Sequence, residues 1–236
     1  MRILAFETSA KAASAALLED GRLVAEAYQN SGLTHSRTVL AMAEGLLGSC
    51  QWPAASVDAV AVASGPGSFT GVRIGVAAAK GFAWARELPC CGVSTLEAMA
   101  WGAGLTDGIL VAAMDARRSQ VYAAAFQMEG GVPRRLLEDS ALAVAELGER
   151  LAALPGPKTL CGDGACLCHE ALGPVLGDLT LLPEHRRLQR AAGVGLAAWA
   201  RLQAGERPDG AALVPTYLRL SQAERERLER LTRGEA

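Results

Sequence analysis

The chain has 236 residues, with 23 Lys+Arg against 25 Asp+Glu for a formal net charge of −2; half of its residues are hydrophobic and a fifth are charged. This balance excludes a disordered chain, a collagen-like chain and a small cysteine-stapled domain. It also supplies no broad basic face for gripping nucleic acid alone, while the length suits one large domain or two lobes with a real core.

The chain opens on a strand-like run over residues 2–8, which reads as structure rather than a secretory leader. Ala13–Leu18 and Arg22–Tyr28 flank Glu19-Asp20-Gly21, a hairpin signal. His35–Gly48 carries apolar residues at helical spacing, and Val57–Ala63 reads as a buried strand. A glycine-rich loop follows, then a helix from about Gly71 to Arg86, a strand at Cys90–Val93 and a helix at Ser94–Ala103. Gly102–Gly108 reads as a hinge, after which the outline repeats. Strands are expected at Ile109–Asp115, Gln120–Gln127 and Arg134–Asp139, with a turn at Arg117 and Arg118. A helix at Ala143–Leu154, a strand at Lys158–Cys161, a helix from Gly164 and a long helix at Gln189–Ala204 complete the body. The tail Gln222–Arg233 is charged at helical spacing. Two α/β lobes with mixed sheets follow, residues 1–105 and 106–236, with a C-terminal helix packing back on the first. Charges interrupt every apolar run well short of the roughly 20 residues a spanning helix needs, so a cytoplasmic protein with reduced cysteines and no membrane contact is expected.

Ser64-Gly-Pro-Gly-Ser-Phe-Thr-Gly-Val-Arg-Ile-Gly75 lies between a predicted strand and a predicted helix. It misses the dinucleotide pattern by one residue, has Val72 where a phosphate loop needs Lys, and lacks the glycines of a nucleophile elbow around Ser68. Ser68 and Thr70 are natural helix caps, so the loop is either a tight capped turn or an anion cradle. Gly71, Gly75 and Ala79 recur every fourth residue. Such a stripe admits a close helix, either the chain's own helix at 35–48, with Ala41, Gly45 and Gly48, or a partner's. His35, His169 and His185 form no metal spacing, and Cys161, Cys166 and Cys168 read as buried free thiols. Glu7 and Asp115 end equivalent first strands of the two lobes; two such carboxylates suit a phosphoryl-transfer cleft or are ordinary strand-end polar residues.

The segments Ile3–Ser9, His35-Ser36, Ser64–Gly75, Gly92–Glu97, Met114–Arg117 with Val121-Tyr122, and Pro215–Arg219 together resemble, in order, the TsaB family, also called YeaZ. The resemblance implies an α/β fold of the actin, Hsp70 and sugar-kinase (ASKHA) kind, with two lobes of mixed sheets flanked by helices. It implies a pseudoenzyme in the synthesis of N6-threonylcarbamoyladenosine at position 37 of tRNA, a non-catalytic scaffold without catalytic or metal residues. Its principal partner would be TsaD, which transfers the threonylcarbamoyl group. TsaE would join the assembly, tRNA would be met through the complex, and ATP/ADP and metal would sit on partner subunits with no cofactor required here. TsaD-like chains carry a metal-binding His-x-x-x-His, of which only His35 stands here. Glu7, where many relatives have Asp, would form a relic cleft with Thr8, Ser9 and Asp115. The partner face, also usable for a homodimer, would hold His35, Thr38, Val39, Met42, Arg73, Gly75, Val76, Ala79 and Phe82. The alternative is a peptidase or a nucleotide-dependent enzyme of the same superfamily.

Overall fold

The computed structural model describes residues 1–219, so the charged tail expected at Gln222–Arg233 lies outside the described residues. The first sheet contains β1 (Arg2–Glu7), β2 (Ala13–Glu19), β3 (Arg22–Gln29), β4 (Ala59–Gly65) and β5 (Cys90–Ser94), in the order β3-β2-β1-β4-β5. β1, β2 and β3 run antiparallel, and β1, β4 and β5 run parallel. The second sheet repeats this plan with β6 (Gly108–Asp115), β7 (Gln120–Glu129), β8 (Val132–Ala143), β9 (Lys158–Cys161) and β10 (Leu179–Leu181), in the order β10-β9-β6-β7-β8.

The strand sequences explain the layering. β1, β2 and β4 are almost wholly buried and read as continuous apolar runs, as strands covered on both faces must. One face of the first sheet is covered by α1 (His35–Ser49) and α2 (Phe69–Trp84), through Val39, Leu46, Val72, Val76 and Ala79. The other face is covered by α7 (Ala191–Gln203), through Val194, Ala197 and Ala198. α3 (Thr95–Gly102) joins the halves: Ala98 packs into the α7 cluster, while Leu96, Met99 and Ala100 meet Leu110, Met114 and Phe126 of the second sheet. α4 (Val144–Ala152) and α5 (Ala165–Leu176) close that sheet's outer face. The four-residue α6 (Glu184–Arg187) leads towards α7, which returns to the first sheet. Beyond it, Lys80 Nζ donates to Ala211 and Leu213 carbonyls at 3.1 and 3.0 Å, which lays the 210–213 stretch beside α2.

Several boundaries differ from the sequence expectation for local reasons. α2 starts two residues early because Ser68 caps it, its hydroxyl accepting the Gly71 N–H at 3.3 Å. Ser94 caps α3 in the same way through Glu97 N–H. β8 extends well beyond Arg134–Asp139, accommodated by irregular pairing between Ala123 and Phe126. β10 is three residues long and was not expected. Among the described residues no helix is long and apolar enough to cross a membrane.

Candidate functional site

A cleft of about 470 Å³ opens between the sheets, where the β1–β2 turn meets the β6–β7 hairpin and the N-terminus of α2. Glu7 lies behind it, 1% exposed. Its Oε1 accepts the Ser9 N–H at 2.5 Å, and its Oε2 has no hydrogen-bond partner among the described residues. Burial pushes the carboxyl up to about 7; the Ser9 N–H pulls it back, and the charge of Asp163 adds to the rise. Thr8 is fully buried, and its hydroxyl donates to the Gly71 carbonyl at 2.8 Å. Ser9 is also buried, with an unpartnered hydroxyl and a carbonyl that accepts Ser68 N–H at 2.7 Å.

Asp115 ends the topologically equivalent strand, yet its surroundings differ. It is exposed, and its carboxylate accepts the Arg117 N–H at 2.7 Å. That bond holds a hairpin in which Arg117, Arg118 and Ser119 all have positive φ, near 60°. Of the second sheet's carboxylates, Asp163 is the one whose charge acts on Glu7, while Asp115 lines the cleft beside it. Burial raises the Asp163 carboxyl, against Gln189 and the Asp115 N–H, which donate to it at 3.3 and 3.4 Å. Sequence reasoning missed Asp163 and Gln189. The Gly-Asp-Gly run directly after the β9 segment was the available signal for a tight strand-end loop.

The segment 214–219 straps the cleft. Thr216 N–H donates to Ser64 O at 2.7 Å, and its own carbonyl fills the space beside Gly65, whose φ of +119° and missing Cβ make room for it. Tyr217 stacks on Phe69 with centroids 4.7 Å apart and accepts a 2.8 Å hydrogen bond from Arg73, whose guanidinium lies over Phe69. Arg219 donates to Ala116 O at 2.6 Å on the second sheet. Among the described residues no group of three His, Cys, Asp or Glu is placed to hold a metal ion. Of the clustered cysteines, Cys161 and Cys168 are buried, which pushes each thiol up to about 12. Cys166 is exposed, correcting its expected burial, and accepts from Arg187 at 3.0 Å.

The expected partner face needs a larger correction. Gly75, Val76 and Ala79 are buried against the chain's own first sheet, as is Val39 of α1. A Cβ on Gly71 would overlap the Thr8 carbonyl, and one on Gly75 would overlap the Thr8 hydroxyl and lie 3.2 Å from Val62. The small-residue stripe thus serves the close approach of α2 to β1 and β4. His35 is half-buried, and its Nε2 bonds to Ala10 O at 2.7 Å, pinning the start of α1 to the β1–β2 turn. Thr38, Met42 and Phe82 are half-buried, and Arg73 is exposed but engaged by Tyr217. The solvent face carries other residues: Leu40, Ala41, Gly45 and Gly48 on α1, and Ala77, Gly81 and Trp84 on α2. Leu40 is 52% and Trp84 79% exposed, and Gly45, Gly48 and Gly81 each have open space where a Cβ would stand.

A family model described as TsaD, tRNA N6-adenosine threonylcarbamoyltransferase, matches residues 29–227. A Bacillus subtilis protein named tRNA threonylcarbamoyladenosine biosynthesis protein TsaB is 33% identical over 233 residues, 97% of this chain and 99% of the relative. The solved structure of YeaZ from Pseudomonas aeruginosa superposes with a TM-score of 0.77 at 30% identity, covering 92% of this chain and 99% of that one. A more distant structure is an activator of 2-hydroxyisocaproyl-CoA dehydratase from Clostridium difficile with bound ADPNP. It has a TM-score of 0.51 at 14% identity and covers 87% of this chain and 97% of that one, a likeness of fold alone. The two mixed sheets flanked by helices are the actin-, Hsp70- and sugar-kinase-like (ASKHA) fold.

Proposed function

The chain belongs to the TsaB (YeaZ) family, and on that premise we propose that it acts in tRNA threonylcarbamoyladenosine biosynthesis as a non-catalytic scaffold that binds and activates TsaD and helps recruit TsaE. The observation that carries this reading is the set of outward residues on the two helices, Leu40, Gly45 and Gly48 on α1 and Gly81 and Trp84 on α2. Helical glycines with open space above them let a partner helix come near the short end of the usual 8–10 Å spacing. The same surface can hold a second copy of the chain, so TsaD and self-association would compete. On this reading the protein is cytoplasmic and needs no nucleotide or metal of its own; ATP/ADP and metal belong to the partner subunits, and tRNA is met through the assembly.

The test is reconstituted tRNA modification with TsaD, TsaE and the adenylate-forming enzyme. Leaving this chain out should abolish multi-turnover modification, and full activity without it would end the proposal. Gly45→Arg should keep the fold by circular dichroism while weakening TsaD binding in calorimetry at least about tenfold, by blocking the close approach that helix packing needs. One observation favours the alternative of a nucleotide-dependent enzyme: a cleft backed by a carboxyl held at about 7. A thermal-shift titration of the isolated chain with ATP and ADP separates the two readings, because a tight nucleotide ligand would raise Tm with concentration.

A further inference from the structure

Glu7 is buried where an ionised carboxylate has little support. Its Oε2 has no partner among the described residues, nor have the neighbouring Ser9 hydroxyl and the Gln189 Oε1. Hydroxyls can still reach it, since the unpartnered Ser9 O–H adjoins it and the Ser14 O–H remains free to donate, but neither brings a counter-charge. Ser14, directly opposite on β2, accepts Ala191 N–H at 2.8 Å, and Thr8 donates to Gly71 O. The charged groups around it are mostly wrong in sign or already engaged. From the second sheet the charge of Asp163 acts on it, while Asp115 lines the cleft. Ahead of α7, Arg190 is paired with Glu26 at 2.8 Å. On α1, the His35 imidazole is held on Ala10 O. Lys11, Arg117 and Arg219 line the outer cleft rather than the space behind it. A buried charge with no counter-charge is costly, and a second carboxylate nearby adds to the cost.

The same few residues anchor the outer helices. The β1–β2 turn holds α1 through His35 Nε2 on Ala10 O, and it holds α2 through Thr8 to Gly71 O and Ser68 N–H to Ser9 O. Glu7 is fastened to this turn by the Ser9 N–H. Any displacement of its carboxylate towards water therefore pulls on the N-terminal ends of both helices.

We propose that Glu7 is a proton-operated latch: protonated, it lets the two sheets meet behind the cleft, and ionised, it releases the β1–β2 turn and loosens the first turns of α1 and α2. Its consequence for partner docking rests on the reading of the helical face given above, whereas the latch itself is a property of the isolated chain and is tested there.

The test is amide hydrogen exchange on the full chain, with rates divided by the intrinsic rate at each pH. With the closed carboxyl at about 7 and the released one at its ordinary value, opening should rise about tenfold between about pH 6 and about pH 8. The rise should appear at residues 8–10, 35–38 and 69–72 and not in α4 or α5. Glu7→Gln should remove it, and Asp163→Asn, which deletes the Asp163 charge, should shrink it. Protection equal at both pH values, or a rise that survives Glu7→Gln, overturns the latch. If Glu7→Gln does not fold, an undiminished rise in Asp163→Asn overturns it instead.

Discussion

The two faces of α2 make opposite uses of the same kind of residue. On the inner face Gly71, Gly75 and Ala79 let the helix settle on β1 and β4, so close that the Thr8 hydroxyl bonds a helix carbonyl. On the outer face Ala77 is exposed and Gly81 has open space where a Cβ would stand. A period of four places small residues on one face but does not say what lies across from it. What lies across decides the role: Thr8 and Val62 inside, solvent or a partner helix outside.

The largest effect that can break this contrast is overpacking the inner face. Gly75→Leu forces four carbons into space held by Thr8 and Val62. The loss should be about 3 kcal/mol, the upper part of the usual range for overpacked cores. Urea unfolding reads it as a lower midpoint at unchanged slope. Native stability in Gly75→Leu would mean that the stripe does not face the sheet.

The second effect comes from Glu7, at the cleft end of the same contact. Its folded carboxyl is raised to about 7, above the unfolded value, so the native state binds the extra proton. Its contribution is full below the unfolded carboxylate value of about 4.5. It is lost as pH rises through about 7, and the loss approaches about 3 kcal/mol. Thermal melts across that window should show wild-type Tm falling with pH, and Glu7→Gln should flatten this slope. A profile unchanged by the substitution would remove Glu7 from the linkage.

Much of the fold was legible in the sequence for reasons that stay local. The Asp20-Gly21 turn, the continuous apolar strands and the Ser68 and Ser94 caps each depend on neighbours along the chain. The candidate site was only partly legible because it depends on contacts across the fold. Glu7 was identifiable as a strand-end carboxylate. Asp163, whose charge acts on it, comes from the other sheet, and no spacing rule links the two. The bond between the His35 ring, which opens α1, and Ala10 O was likewise not legible, because it joins residues 25 positions apart. The outer residues Leu40, Gly45, Gly81 and Trp84 became recognisable once the inner stripe had a partner inside the chain.

A smaller effect sharpens the contrast at its closest contact. Thr8→Val keeps the shape of the side chain and deletes the bond to Gly71 O. A neutral buried hydrogen bond contributes about 1 kcal/mol net. The loss should therefore be about that size, and exchange protection should fall first near residues 69–72. A loss spread evenly over α2 would instead mean that Thr8 only fills space.

The smallest effect has the opposite sign and tests the outer face. Gly81 sits near the C-terminal end of α2 with open space above it, so Gly81→Ala adds a methyl without a clash. Glycine in a helix interior is about 0.5–1 kcal/mol worse than alanine, because its backbone loses more freedom on folding. The isolated chain should therefore gain up to that amount. If the outer face admits a partner helix at close range, the same methyl should weaken TsaD binding while the chain becomes more stable. Gly81→Ala that stabilises the chain and leaves TsaD affinity untouched would move the docking surface off the C-terminal half of α2, towards α1.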